Sequence, residues 1–183
     1  MNQEIVIAGF GGQGVLSMGM TLAYAGMVED KEVAWMPSYG PEMRGGTANC
    51  IVILSDSKIS SPIINAFDTG IILNQPSMEK FESWIKPEGQ ILFEASTILS
   101  SPSRLDVKNY KIAANAKAQE MENKKVMNMI FLGAFLELNP ILKDESIMTA
   151  LKKVLPERHH HLIPINREAL QMGKYLVSES VPN

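Results

Sequence analysis

The stretch Glu4-Ile5-Val6-Ile7-Ala8-Gly9-Phe10-Gly11-Gly12-Gln13-Gly14-Val15-Leu16 decides the fold. Glu4 to Ala8 is a short β-branched run that ends in glycine, the pattern of a buried strand. Gly9, Gly11 and Gly14 then satisfy G-x-G-x-x-G. Beyond them Val15, Leu16, Met18, Leu22, Ala25 and Met27 give a broad apolar face, so Val15 to Val28 reads as a helix weakened only slightly by Gly19 and Gly26. A strand, a glycine turn and a helix in that order form a Rossmann-like opening.

The rest of the chain keeps the alternation. Strands are expected at Glu32–Met36, Ala48–Leu54, Thr69–Leu73, Gln90–Phe93 and Lys111–Ala114. Helices are expected at Pro76–Trp84, from Asn115 as N-cap to Met121, at Val126–Leu138, at Asp144–Leu155, and from Asn166 as cap to Val177. Pro87-Glu88-Gly89 reads as a turn, and Asp68 as a turn or cap residue. The Val126–Leu138 helix is apolar all round and must be buried in its domain or against another chain. With no repeat or flexible linker, the chain reads as a single domain over 1–183. Its fold class is α/β, a three-layer Rossmann-like sandwich with a mostly parallel central sheet.

Composition sets the function classes. The 183 residues carry 17 Lys+Arg against 20 Asp+Glu, a formal net charge of −3, which argues against nucleic acid as a partner. No basic n-region precedes the short apolar run at the start, and no stretch is long and apolar enough to span a bilayer, so no membrane association and a cytoplasmic setting are expected. Twelve methionines and a hydrophobic fraction of 45% suggest apolar surface that belongs to a partner. The single cysteine, Cys50, lies inside an apolar strand; it reads as an inert core thiol and cannot hold an iron–sulfur cluster or a cysteine-rich zinc site.

The glycine loop is the first candidate site. Glycines permit the tight turn and let another group approach the backbone, and the N–H groups of a helix N-terminus favour an anion. A dinucleotide site also wants an acidic residue at the end of the second strand; Trp35, Met36, Pro37 and Ser38 stand there, while Glu29, Asp30 and Glu32 fall at its start. This counts against NAD(P). What remains is a site for a phosphate-bearing molecule, a docking loop for a partner, or a tight turn that packs helix on strand and binds nothing.

A second loop, Ser38-Tyr39-Gly40-Pro41-Glu42-Met43-Arg44-Gly45-Gly46-Thr47, leaves the carboxyl end of the second strand. If the two strands run parallel, both loops meet at the edge where open α/β sheets bind ligands. Asn74, Gln75, Glu94, Ser96 and Asn115 should reach that edge too. Proline and glycine fix the loop's shape, and Tyr39, Glu42 and Arg44 offer an aromatic ring, a carboxylate and a guanidinium. The bland alternative is a Glu42–Arg44 surface pair.

Gly9-Phe10-Gly11-Gly12-Gln13-Gly14-Val15, followed by Tyr39-Gly40-Pro41-Glu42-Met43-Arg44-Gly45-Gly46, resembles the gamma subunit or domain of the 2-oxoacid:ferredoxin oxidoreductases, which act on pyruvate, 2-oxoisovalerate or 2-oxoglutarate. Asn74-Gln75-Pro76-Ser77 and Ile163-Pro164-Ile165-Asn166 are similar as well. The resemblance implies a complex that converts a 2-oxoacid to acyl-CoA and reduces ferredoxin. It implies alpha and beta subunits, the latter with thiamine diphosphate, and a ferredoxin-like delta subunit.

This chain lacks the Gly-Asp-Gly and Asn-rich signature of a diphosphate–magnesium site, so thiamine diphosphate, magnesium and Fe-S clusters are expected on the partners. The gamma role left to it is structural, with no catalytic residue. Coenzyme A is the ligand it could help to bind, at Gly9, Gly11, Gly12, Gln13 and Gly14 with Tyr39, Glu42, Arg44, Gly45 and Gly46. The detailed loop text favours 2-oxoglutarate or a branched-chain 2-oxoacid over pyruvate. The alternatives are a standalone nucleotide- or phosphate-binding module and an NAD(P)-binding oxidoreductase.

Two other features carry less. His159-His160-His161 are consecutive, so their rings diverge, and they read as a solvated run rather than a metal site. Ser17 and Ser38 have no evident His–Asp partners, so a hydrolase triad is unsupported.

Overall fold

Among the described residues, five of the six strands point the same way, and the exception lies next to the first. The computed structural model describes residues 1–39 and 47–178. Its strands are β1 (Asn2–Phe10), β2 (Glu32–Tyr39), β3 (Thr47–Ser55), β4 (Phe67–Ile72), β5 (Ile85–Glu94) and β6 (Lys108–Ile112). The sheet order is β2-β3-β1-β4-β5-β6. β1, β4, β5 and β6 are parallel, while β3 runs antiparallel to both β1 and β2. The sheet is therefore mostly parallel, as expected. β1 and β2 are not neighbours, because β3 lies between them; two reversals still bring their carboxyl ends to one edge.

Among the described residues, six helices cover the sheet: α1 (Val15–Val28), α2 (Gln75–Phe81), α3 (Ala114–Glu120), α4 (Met127–Leu138), α5 (Asp144–Val154) and α6 (Ile163–Ser178). One face carries α1 and α3 to α6 over a core that includes Ile5, Ile7, Cys50, Val52, Phe131 and Phe135. The other carries α2 and its 3-10 extension Glu82–Trp84 over Val6, Ala8, Phe67, Ile72 and Phe93. Alternate residues of β1 thus feed opposite cores, which explains a strand apolar on both faces. α4, expected to be buried, is: its residues Met127 and Met129–Leu136 are all buried.

Several local expectations are corrected. Pro87-Glu88-Gly89 is not a turn before a strand but an irregularity inside β5, where the register with β4 shifts between Phe67 and Thr69 and Glu88 takes φ 62°. Asp68 is a strand residue; its carboxylate accepts the Glu4 N–H at 2.8 Å and pairs with Lys86 at 2.7 Å. Asn115 is not an N-cap. It lies within α3, and its backbone N–H donates to Glu94 Oε2 at 3.1 Å. Asn166 lies inside the first turn of α6, its amide donating to the Leu162 carbonyl at 2.7 Å. At α3 a carboxylate distant in sequence thus receives a helix-start N–H, and at α6 the Asn166 amide is spent on a carbonyl of the preceding turn. Asn74, expected only at the carboxyl edge of the sheet, is the N-cap of α2: its Oδ1 accepts the Ser77 N–H at 2.9 Å.

Candidate functional site

The site forms where the strand order reverses. From β1 the chain leaves through α1 on one face, and from β4 through α2 on the other, so a crevice opens outside the carboxyl ends of β1 and β4. The glycine loop fills its lip. Gly14, at φ 78°, is the left-handed N-cap of α1, and Gly12 takes φ 94°. A Cβ at Gly14 would come within 2.9 Å of Asn128 Nδ2, whereas one at Gly12 would meet nothing within 4 Å. Gly14 is therefore needed for conformation and packing, and Gly12 presents bare backbone outward.

Gly9 has a different reason. Its Cβ would approach Gln13 Oε1 to 2.6 Å and the Leu73 Cβ to 2.8 Å. That space is used by Gln13, whose Oε1 accepts the Phe10 N–H at 2.6 Å and whose Nε2 donates to the Leu73 carbonyl at 3.3 Å. Gln13 was expected among the ligand-binding residues; in this arrangement both ends of its amide face protein backbone.

The first intrahelical bond of α1 runs from Met18 N to the Gly14 carbonyl at 2.9 Å. The amides of Val15, Leu16 and Ser17 precede it, and the first turn holds no acidic residue. A hollow of about 270 Å³ lies beside them, bounded by Phe10, Gly11, Gly12, Val15 and Ala48. A second of about 220 Å³ lies across the helix start, with Ser17, Lys125, Asn128, His159 and Asn166 on its walls. Backbone donors, an absent Cβ at Gly12 and no competing carboxylate are a donor set that fits a phosphate group. A hollow of about 360 Å³ near Lys86 lies at the opposite edge of the sheet and takes no part in this arrangement.

Leu73, Glu94 and their partners join the same edge. Thr97 Oγ1 donates to the Leu73 carbonyl at 2.7 Å, so that oxygen receives both Gln13 and Thr97. The fully buried Glu94 accepts from Ser96 N at 3.0 Å, Ser96 Oγ at 2.8 Å and Asn115 N at 3.1 Å. Asn74, Glu94, Ser96 and Asn115 therefore gather as expected, but as scaffold for the loops. Thr97 and Leu73 carried no motif; only proximity identifies them.

In the second loop, Tyr39 ends β2, its backbone opposite Ala48. Glu42, Arg44, Gly45 and Gly46 lie outside the described residues. Thr47 pairs with Phe10, so the hairpin starts and returns beside the glycine loop.

The other candidates resolve simply. Cys50 is fully buried, and burial pushes its thiol up to about 12, so it is protonated in the fold. Among the described residues no three His, Cys, Asp or Glu side chains are grouped to hold a metal ion. His160 Nε2 lies 3.1 and 3.0 Å from the carbonyls of Lys152 and Leu155, where it closes the end of α5. No helix among them is long and apolar enough to cross a membrane.

Comparison with known proteins gives a consistent answer. Residues 4–175 match the model of the family described as pyruvate ferredoxin/flavodoxin oxidoreductase. The chain is 35% identical to the ketoisovalerate oxidoreductase subunit VorA of Methanothermobacter thermautotrophicus over 97% of this chain and 37% of the relative. It is 33% identical to the 2-oxoglutarate synthase subunit KorC of Methanocaldococcus jannaschii over 86% of each. The chain thus spans about a third of the length of the VorA relatives and most of the KorC relative.

Among solved structures, it superposes on the gamma subunit of a keto/oxoacid ferredoxin oxidoreductase from Geobacter sulfurreducens with a TM-score of 0.83 and 27% identity, over 98% of both chains. A 2-oxoglutarate:ferredoxin oxidoreductase from Magnetococcus marinus, with 2-oxoglutarate, coenzyme A and succinyl-CoA bound, gives 0.88 and 26% identity over 99% of this chain and 32% of the other. From its fold, its loop and these relatives, the chain belongs to the pyruvate ferredoxin/flavodoxin oxidoreductase family.

Proposed function

We propose that this chain is the gamma-type subunit of a multi-subunit 2-oxoacid:ferredoxin oxidoreductase. The complex oxidatively decarboxylates a 2-oxoacid to the acyl-CoA and reduces ferredoxin. The observation that carries the reading is family membership over residues 4–175, in a sequence whose single cysteine is too few for an iron–sulfur cluster. Alpha and beta subunits and a ferredoxin-like delta subunit complete the complex, in the cytoplasm. Thiamine diphosphate, held with magnesium by the partners, supplies carbanion stabilisation, and their clusters carry the electrons.

This chain's own task is to close the assembly and to present the glycine loop. The Val15–Ser17 amides and the backbone at Gly11 and Gly12 would hold a phosphate of coenzyme A, with Gly9, Gln13 and Gly14 shaping the loop. Tyr39, Glu42, Arg44, Gly45 and Gly46 complete the site from the second loop, Arg44 as the charge partner. Identity falls from 35% with a ketoisovalerate enzyme and 33% with a 2-oxoglutarate enzyme to 26% with a pyruvate synthase subunit, which favours a branched-chain 2-oxoacid or 2-oxoglutarate.

The test is an anaerobic pull-down of the tagged chain from its native cytosol, with mass spectrometry of the partners and a viologen assay of the eluate. Co-purification of a thiamine-binding subunit with CoA-dependent 2-oxoacid oxidation is expected. Recovery of the chain alone, without activity, overturns the subunit reading.

A further inference from the structure

We propose that Gln13 is a positioning residue, which latches the glycine loop across the switch point through the Leu73 carbonyl, with Thr97 as the second member of the latch. The functional part of this inference rests on the reading of the loop as the coenzyme-facing element. The loop has few internal bonds of its own: Gln13 N donates to the Phe10 carbonyl at 3.2 Å. The side chain of Gln13 then returns to the same residue, its Oε1 on the Phe10 N–H at 2.6 Å. Phe10 is thereby held at both backbone groups by Gln13.

The other end of the amide ties this turn to the neighbouring strand. Gln13 Nε2 donates to the carbonyl of Leu73, a fully buried residue just beyond β4. Thr97 donates to the same oxygen from the loop that follows β5. Three consecutive strand ends of the sheet, those of β1, β4 and β5, therefore meet at one carbonyl. The glycine at position 9 fits this: a side chain there would occupy the place of Gln13 Oε1. Gln13 uses an acceptor and a donor of its amide on backbone, and these two bonds fix the direction of the side chain within its own loop. Held in this way, it acts on binding through the loop's shape and the aim of the α1 amides.

Removing Gln13 alone leaves Leu73 O with Thr97, and removing Thr97 alone leaves it with Gln13; removing both orphans a buried acceptor. The two substitutions should therefore couple. The direct test is amide hydrogen exchange by mass spectrometry on the full chain, for Gln13→Leu, Thr97→Val and the double variant. Peptides covering residues 10–17 should exchange about tenfold faster in each single variant, and by more than the product in the double, while the β1 core stays protected. Unchanged exchange over 10–17 in both single variants overturns the latch. Thr97→Val leaves the loop sequence intact, so a folding failure of Gln13→Leu does not block the test.

The functional arm uses the assembled complex. Both single variants should raise the KM for coenzyme A about five- to tenfold, with kcat within about twofold. Gln13→Glu, which keeps the acceptor for Phe10 and loses the donor to Leu73, should fall between wild type and Gln13→Leu. A KM raised by Gln13→Leu but not by Thr97→Val would make Gln13 a contact residue and overturn the positioning role. A wild-type complex indifferent to coenzyme A would instead sink the coenzyme reading, and the exchange comparison would still decide the latch.

Discussion

Gly133 of α4 lies directly against the Leu170 carbonyl of α6, and Gly173 of α6 lies in the same way against the Ile130 carbonyl of α4. The two helices meet backbone to backbone, and neither glycine adopts a positive φ. Their reason is space alone. Gly133→Ala or Gly173→Ala would gain about 1 kcal/mol of helix propensity in isolation. Here the added carbon falls on a carbonyl that cannot rotate away, so each should cost about 3 kcal/mol or more. Urea denaturation of the purified chain would check this, and a neutral or stabilising alanine would refute the close crossing.

The two left-handed glycines of the loop should separate by environment. Gly14→Ala meets both a positive φ and the Asn128 side chain, and should destabilise by about 2 kcal/mol. Gly12→Ala meets only the backbone penalty, about 1 kcal/mol, because its Cβ points into open space. Gly12→Ala should nevertheless weaken the response to coenzyme A in the assembled complex, since it covers the exposed backbone. Paired melts and CoA titrations would show whether stability and ligand use divide in this way.

Loss of the α2 cap has a defined cost. Asn74 is 1% exposed and accepts the Ser77 N–H at 2.9 Å. Asn74→Ala should lower stability by about 1 kcal/mol, and Asn74→Asp, which keeps the acceptor, should lower it less. Equal losses would mean that packing rather than the cap sets the effect.

Cys50 gives the pH prediction. Its folded-state value of about 12 lies above the ordinary 9.0, because burial disfavours the thiolate. An acid whose folded value is raised contributes stability that is present below pH 9.0 and lost as pH rises toward about 12. Stability should fall above pH 9, by at most about 1.4 kcal/mol per pH unit from this group, and Cys50→Ala should flatten that slope. In the folded chain Cys50 should resist a thiol reagent and react only after denaturation.

Arg44 tests the second loop. Arg44→Ala should leave the melting temperature of the chain within experimental error while raising the KM for coenzyme A, or releasing the chain from the complex on gel filtration. A variant complex with full activity and unchanged KM would remove Arg44 from the site.

How much was legible depended on the range of the interaction. The boundaries of α1, Val15–Val28, followed from apolar spacing and a glycine start, because helix formation is local. The burial of α4 followed from its apolar circumference. Asn115 and Asn166 were misread as caps for the opposite reason. The start of α3 is satisfied from the distant Glu94 Oε2, and the Asn166 amide is spent on the Leu162 carbonyl.

The glycine loop shows the same division. Sequence determined that a strand, a turn and a helix follow one another, that the turn needs glycines, and, through the paired loop motifs, which family the chain resembles. Tertiary structure decided that β3 inserts between β1 and β2, and that Gly9 is small for the sake of Gln13. It also decided that Gln13 turns inward to a carbonyl 60 residues away. Spacing along a chain records contacts within a few residues. Which distant strand end supplies an acceptor depends on the order in which strands assemble, and only the assembled sheet sets that order.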